Sequence, residues 1–344
     1  MSQMSSISRT HRKIWLFWTT PAIRDGGLVR MYSGHPRKKA DLKKLRPMIV
    51  ERIKNRAKDY PIKAMIPVAE DVLKARVLLI QGVSTLLNFV PVWTCKFCPE
   101  VYIGEEGHLI KTCGGYRHRA KNQHHEWVKG SLNDIIVPVK TFHLKNMFQN
   151  VIEHQERFDF DRVSAVVELC LQAGAFLYDE RLYSRHLNFD TDVNSFVGDA
   201  YMCEEDQRFV ARGTLSAWET VKSGVQKLLL AYPTKVCEHC SEVHVGPSGH
   251  RARLCGVFKY QRWRGTHFWK KAEVDDLVPP NIVWFRRPQD PPLLLNTCRE
   301  FYGHAPAVVD LCVKAGAIPP SKYLCMMKMQ GLAAPLSAPA VVVD

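Results

Sequence analysis

Cys95-Lys96-Phe97-Cys98 begins a stretch that is written twice in this chain, and the rest of the sequence is arranged around it. The stretch continues through Gly104, Gly107-His108 and Cys113. Adding 142 to each number gives the second copy without a gap: Cys237, Cys240, Gly246, Gly249-His250 and Cys255. Of the 81 positions from 95 to 175, 23 are identical in the second copy. An internal repeat of this length decides the architecture, so the sequence predicts two copies of one cysteine- and histidine-containing module.

The spacing within each copy is typical of a zinc site. Two cysteines in C-x2-C spacing turn their sulfur atoms toward one point and supply half of a tetrahedral site. The full pattern, C-x2-C-x9-H-x4-C, predicts that a histidine and a third cysteine supply the other half. The predicted ligands are Cys95, Cys98, His108 and Cys113 in the first copy and Cys237, Cys240, His250 and Cys255 in the second. Four protein ligands at each of two Zn²⁺ sites indicate structural rather than catalytic zinc.

Another pair of histidines leaves the fourth ligand open. His125 and His267 also recur in register, each two residues before a tryptophan. They are the alternative fourth ligands, hydrogen-bonding partners of the ligands, or surface contacts.

Positive and aromatic side chains alternate between the third cysteine of each copy and the tryptophan behind it. From Arg251 to Lys271 there are seven Lys and Arg residues and no acid. Cations bind phosphates and rings stack on unpaired bases, so the pattern predicts contact with single-stranded or structured RNA. The alternative is that the rings seat the module on neighbouring helices. The predicted RNA-binding residues are Arg117, Arg119, Lys121, Trp127, Lys259, Tyr260, Arg262, Trp263, Arg264 and Trp269.

Charge is distributed unevenly along the chain. The net charge is +14, and residues 1–67 hold 16 Lys and Arg against 4 acids, whereas residues 153–206 hold 13 acids against 4 bases. Segregated positive charge favours a polyanionic partner. No apolar run approaches the ~20 residues that a membrane span needs, and no pattern indicates a small-molecule substrate. Eleven cysteines, six of them at metal-type spacing, favour a reducing compartment.

The predicted fold class is mainly α with small irregular or β zinc-binding modules, in two tandem repeats of helix, zinc module and helix. Apolar periodicity predicts helices from Val68 to Phe89, from Ser216 to Ala231 and from about Asp161 to Ala173. The predicted segments are a transit peptide (1–33), a basic helical segment (34–74), the first repeat (94–179), an acidic connector (180–213), a helix leading into the second repeat (214–235), the second repeat (236–321) and a flexible tail (322–344).

The first 33 residues are rich in arginine and serine and contain one acid, Asp25. This composition is typical of an organelle transit peptide. Arg30-Met31-Tyr32-Ser33 is similar to a mitochondrial cleavage site. We therefore expect the mitochondrial matrix, with the plastid as the alternative.

The doubled C-x2-C-x3-[Y/H]-x-G-x2-G-H-x4-C element, with H-x-W behind it and a helix ending in Cys-x2-Ala-Gly-Ala, resembles the plant APO ("accumulation of photosystem one") family. The resemblance covers roughly 75–320, and the basic leader is similar to that of a mitochondrial member. It implies RNA binding in an organelle, splicing of group II introns with other splicing factors, and accumulation of complexes containing 4Fe-4S clusters. Tyr102 departs from the histidine of the family motif, which argues against a ligand role for its counterpart His244.

Two other functions compete with RNA binding. The repeated acids Glu100/Glu242 and Asp134/Asp276 could serve as bases in a metal-dependent nuclease or hydrolase, although they are equally ordinary surface or capping acids. The cysteines could instead hold an iron–sulfur cluster in transit, as in an assembly scaffold. We expect a protein that is not an enzyme.

Overall fold

The computed structural model describes residues 42–115, 121–149, 151–176, 202–252, 255 and 266–335. The predicted transit peptide and most of the predicted connector lie outside this part of the chain. The same is true of seven predicted RNA-binding residues: Arg117, Arg119, Lys259, Tyr260, Arg262, Trp263 and Arg264. The chain divides into two compact units, Met1–Met48 and Ile49–Asp344, and everything below concerns the second.

The elements of the first half, after helix α1 (Leu42–Ala57), are α2 (Ile66–Leu86), β1 (Val92–Cys95), β2 (Val101–Ile103), β3 (Trp127–Lys129), α3 (Leu132–Ile135), β4 (Lys140–Phe142), β5 (Arg162–Ser164) and α4 (Ala165–Gln172). Those of the second half are α5 (Glu204–Ala231), β6 (Thr234–Cys237), β7 (Val243–Val245), β8 (Trp269–Lys271), α6 (Val274–Leu277), β9 (Ile282–Phe285), β10 (Gly303–Pro306), α7 (Ala307–Lys314) and α8 (Ser321–Leu324). Short 3₁₀ turns cover Lys63–Met65, Glu156–Asp159 and Asn296–Phe301. The fold therefore combines helices with small antiparallel sheets, and most elements recur at the offset of 142 residues.

Each half contains a three-stranded antiparallel sheet that ends at the first cysteine of the C-x2-C pair. The strand orders are β2-β1-β3 and β7-β6-β8. In the first sheet Cys95 lies opposite Trp127, and in the second Cys237 lies opposite Trp269. This register places the H-x-W segment beside the cysteine pair.

The long helices α2 and α5 form the centre of the core. Their apolar residues recur every three or four positions, and Val72, Leu79, Val83, Val225 and Leu228 are all almost completely buried. Pro67 lies in the first turn of α2, where no backbone N–H is required. One hydrophobic cluster contains residues from both halves, so the two repeats share a core.

Contacts between the halves are reciprocal. The backbone N–H of Leu109 donates to Leu294 O (2.9 Å), and that of Arg251 donates to Ile152 O (2.8 Å). These two bonds are related by the offset, because 109 corresponds to 251 and 152 to 294. Strand β2 packs against β9 and β7 against β4. Each module is thus packed against the two-stranded sheet of the other repeat, β9–β10 or β4–β5.

Three segments differ from the sequence-based expectation. Helix α5 begins at Glu204, twelve residues before Ser216, because Cys203 Sγ accepts from the Asp206 N–H (3.4 Å) and three acids occupy the first turn. Residues 162–164 are a strand paired with β4, so α4 begins only at Ala165.

The C-terminal segment differs as well. In the described part of the predicted tail, Tyr323 and Met327 are buried, and the guanidinium of the fully buried Arg287 donates to the carbonyls of Lys328 and Leu332. These contacts attach residues 321–332 to the fold.

Gly174 ends α4 at φ +87°, and Cys170 and Cys312 are fully buried. Among the described residues, no helix is both long and apolar enough to cross a bilayer.

Candidate metal centres

Three cysteines and one histidine converge in the first repeat: Cys95, Cys98, Cys113 and His125 lie with their ligand atoms within 4.8 Å of one another. Cys95 Sγ is 3.8 Å from Cys113 Sγ, and Cys98 Sγ is 3.5 Å from His125 Nδ1. Zinc bonds of about 2.3 Å to sulfur and about 2.05 Å to nitrogen place tetrahedral ligand atoms about 3.8 Å (S–S) and about 3.5 Å (S–N) apart. These two separations fit a tetrahedral Zn²⁺ ion.

The second repeat builds the same group from Cys237, Cys240, Cys255 and His267. Cys237 Sγ is 3.9 Å from Cys255 Sγ, and Cys240 Sγ is 3.3 Å from His267 Nδ1. The spacing that the structure assembles is therefore C-x2-C-x14-C-x11-H in both copies.

His108 and His250, which the sequence favoured as fourth ligands, are not in these groups. His108 Nε2 is 2.9 Å from Glu100 Oε1, and its Nδ1 accepts from the Ile110 N–H (3.1 Å), so both ring nitrogens are engaged elsewhere. His250 Nε2 lies 3.6 Å from Glu242 Oε1. The structure brings the alternative pair, His125 and His267, to the sulfur atoms instead.

Strand pairing explains this choice of histidine. The Lys96 N–H donates to Glu126 O (3.0 Å), which continues the β1–β3 ladder and draws His125 alongside the cysteine pair. In the second copy the Glu238 N–H donates to Phe268 O (2.9 Å). The signal in the sequence was the recurrence of H-x-W at a strand start.

The clustered sulfur atoms favour a bound cation. Burial raises the pKa of Cys98 and Cys113, and it raises that of Cys240 to about 12. Burial also acts to raise the pKa of Cys95, but backbone N–H groups, including that of Phe97 at 3.4 Å, outweigh it and lower the pKa. A metal ion supplies the positive charge that lets several thiolates share one site.

The tryptophans of the H-x-W segments form part of the metal modules. Trp127 Nε1 donates to His108 O (3.2 Å) and Trp269 Nε1 to His250 O (3.1 Å). Each indole is half-buried. Its centroid lies about 4.8–4.9 Å from the ring centroids of His108 and His125 in the first module, and of His250 and His267 in the second.

The model of the APO RNA-binding family matches residues 31–185 and 205–329 of this chain. The chain belongs to the APO RNA-binding family. The family resemblance drawn from the doubled motif is therefore confirmed.

Three relatives from Arabidopsis thaliana match this APO chain over most of its length. It is 37% identical to APO protein 1, chloroplastic, over 298 residues (77% of this chain and 68% of the relative). It is 35% identical to APO protein 2, chloroplastic, over 326 residues (83% and 74%), and 34% identical to APO protein 3, mitochondrial, over 291 residues (77% and 72%). No solved structure matches the chain.

The repeated acids of this APO chain have structural partners. Asp134 accepts from the Ser131 N–H (2.7 Å) and Asp276 from the Glu273 N–H (2.8 Å), so both cap the short helices α3 and α6. Glu100 accepts from Thr112 (2.9 Å) and from Trp284 Nε1 of the other repeat (3.0 Å). Of the predicted RNA-binding residues that the structure describes, Lys121 is exposed.

Proposed function

We propose that this chain is an organellar RNA-binding protein whose RNA-contacting segments are held by two structural Zn²⁺ ions. Its role is to promote splicing or processing of organelle group II intron RNA, together with other splicing factors, and so the accumulation of complexes that contain 4Fe-4S clusters. The mitochondrial matrix is the proposed compartment, because of the leader composition, with the plastid as the alternative.

One observation carries the zinc and RNA parts of the proposal: each basic, aromatic segment begins and ends at ligands of the same candidate site. In the first repeat it runs between Cys113 and His125, and in the second between Cys255 and His267. A loop tied at both ends loses less conformational entropy when it binds a strand. The ion, when bound, would supply this structural cross-link and no catalytic chemistry.

Three cysteines and one histidine leave no position open for water or substrate, which supports a structural role over a hydrolase. Glu100 supports the same conclusion. Burial acts to raise its pKa, but the hydrogen bond from His108 and the nearby His125 outweigh burial and lower it. His108, Thr112 and Trp284 already donate hydrogen bonds to this carboxylate. A colourless metal-loaded protein would indicate zinc, whereas an iron–sulfur scaffold would absorb visible light.

Salt-dependent RNA binding tests the proposal. Full-length, metal-loaded protein should bind a fluorescent single-stranded RNA, and log K should fall linearly with log[KCl], by about 0.7 per phosphate contacted. A triple variant in the second segment, Lys259→Ala, Arg262→Ala and Arg264→Ala, should weaken binding and reduce the slope by about 2. Anisotropy titrations over several KCl concentrations measure both.

The matched control removes three exposed charges from α2 and α5: Lys74→Ala, Arg212→Ala and Lys227→Ala. The slope of log K against log[KCl] should stay within about 0.5 of the wild-type value, because less than one phosphate contact is lost. Equal losses in the two triple variants would mean that general charge, not the segment, binds RNA. Removal of zinc with a chelator should abolish RNA binding by both triple variants.

A further inference from the structure

The two metal sites share their ligand types but differ in what supports the histidine. In the first site His125 Nδ1 faces the sulfur atoms, so the proton of a neutral ring lies on Nε2. Nε2 is 2.9 Å from Thr112 Oγ1, whose hydroxyl in turn lies 2.9 Å from both oxygens of Glu100. A chain of hydrogen bonds therefore runs from the histidine through a threonine to a carboxylate.

The carboxylate at the end of this chain is itself fixed. Glu100 accepts from His108 Nε2 (2.9 Å) and from Trp284 Nε1 (3.0 Å), and its side chain is 20% exposed. Although Glu100, His108 and His125 are close enough to suggest a third metal site, direct hydrogen bonds already connect Glu100 to His108 and, through Thr112, to His125. The group supports the first site and needs no ion of its own.

The second site is built differently around the same carboxylate position. The residue 142 positions after Thr112 is Leu254, whose side chain has no hydrogen-bonding group. Glu242 forms an ion pair with Arg162 of the first repeat instead. Among the described residues, no side chain hydrogen-bonds to the buried Nε2 of His267. The ring interacts instead with the backbone carbonyl of Ala252, which is not linked to a carboxylate.

We propose that the first site holds Zn²⁺ more tightly than the second, and that Thr112 and Glu100 are positioning residues that keep the His125 imidazole on the metal. The proposal rests on the zinc binding proposed above. Hydrogen-bonding partners of metal-bound histidines are worth about 10- to 100-fold in metal affinity. We expect a difference of that size between the two sites, with the second emptying first as free zinc falls.

Site-resolved protection of cysteine measures the difference. Full-length protein is equilibrated in buffers of decreasing free Zn²⁺ and pulsed with N-ethylmaleimide, and the labelled fraction is read from the peptides that contain Cys98 and Cys240. These residues are matched, because both are partly buried second cysteines of their C-x2-C pairs. The wild-type protein should protect Cys98 down to a free zinc concentration about 10- to 100-fold lower than Cys240.

Three variants assign the effect. The midpoint is the free zinc concentration at which half of a given cysteine is labelled. Thr112→Leu gives the first site the residue found at the corresponding position of the second, and it should move the midpoint of Cys98 to that of Cys240. The midpoint of Cys240 should stay unchanged. Thr112→Ser keeps the hydroxyl and should keep the Cys98 midpoint within about threefold, since the hydrogen bond remains. Leu254→Thr should leave the Cys98 midpoint unchanged.

Equal midpoints for Cys98 and Cys240 in the wild-type protein would overturn the proposal, and this result does not depend on whether the variants fold. A Thr112→Leu protein that protects Cys98 as well as the wild-type protein does would also overturn it. If neither cysteine is protected at any zinc concentration, the zinc binding itself fails, which is a different result.

Discussion

Glycines recur in both modules for two separate physical reasons. Gly104 and Gly246 have φ values of +155° and +152°, which side-chain-bearing residues rarely adopt. Gly107 and Gly249 are required for space instead. A Cβ at position 107 would lie 2.1 Å from the Trp127 ring, and one at 249 would lie 2.2 Å from the Trp269 ring. The recurrence of the glycines in the sequence does not show that an indole packs on the second one of each copy.

Gly107→Ala should therefore weaken the first metal site. The added methyl group displaces the indole of Trp127, which shares a strand end with His125 and donates to the backbone of His108. We expect Cys98 to lose protection at about tenfold higher free zinc, on the scale of losing a supporting contact, with Cys240 unchanged. Gly114→Ala, where a Cβ would have no neighbour within 4 Å, is the control. Equal loss in both variants would contradict the role given to Trp127.

At the residue scale, the sequence selected the three cysteines that the structure brings together in each repeat, but it favoured His108 and His250, whereas the structure places His125 and His267 beside the sulfur atoms. The cysteine pair and the third cysteine follow from spacing alone, because C-x2-C geometry is local. The fourth ligand depends on which strand lies beside β1, a contact across 27 residues from Cys98 to His125. Proximity in the chain favoured His108, and only strand register brings His125 to the sulfur atoms.

At the scale of elements, each of the two long helices has a glycine that packs directly against a side chain of the other helix. A Cβ on Gly82 of α2 would lie 1.9 Å from Thr214 Oγ1 of α5, and one on Gly224 of α5 would lie 2.2 Å from Val72 Cγ2 of α2. These contacts are related by the offset, since 82 corresponds to 224 and 72 to 214. Glycine lets the helix backbones approach where the two copies of one helix cross.

Gly82→Ala and Gly224→Ala should each destabilise the protein, although alanine is the better helix former. The gain in helix propensity is about 1 kcal/mol, whereas overpacking a filled core costs about 1–3 kcal/mol. Thr214 and Val72 are almost fully buried and have nowhere to move. Gly213→Ala, exposed in the same helix with open space at its Cβ, should stabilise by up to about 1 kcal/mol. Urea unfolding of metal-loaded protein tests the opposite signs.

The sequence predicted the helices well where apolar periodicity extends over several turns. It failed where the charges at a helix start or the pairing with another strand determine the structure. Helix α2 was expected from Val68 to Phe89 and runs from Ile66 to Leu86. The first twelve residues of α5 were missed, since their charges were interpreted as a connector and not as acids at a helix start. Strand β5 was missed because three residues paired with β4 carry too little pattern to distinguish from a helix start.

At the scale of the whole molecule, the two repeats complete each other. Thr141 of the first repeat donates to Val243 O of the second (2.7 Å), and the Phe142 ring lies 5.0 Å from that of His250. At the corresponding place in the first module, Trp284 of the second repeat lies 6.3 Å from His108. The sequence could predict two copies, but not this exchange, because a repeated motif specifies neither which two-stranded sheet covers which module nor how the two long helices pack.

This exchange predicts that the halves stay together when the chain between them is cut. A protease site introduced within residues 185–195 separates α2, both sheets and α4 of the first repeat from α5 onward. The buried contacts between α2 and α5, and those of each module with the other repeat's sheet, all cross that cut. Interfaces that resemble a divided domain core are typically obligate, so the cut halves should co-elute at micromolar concentration in size-exclusion chromatography. They should separate only in urea or after zinc removal. Two independent peaks from cut, metal-loaded protein in buffer would show that each repeat folds alone, and that the crossed contacts contribute little to stability.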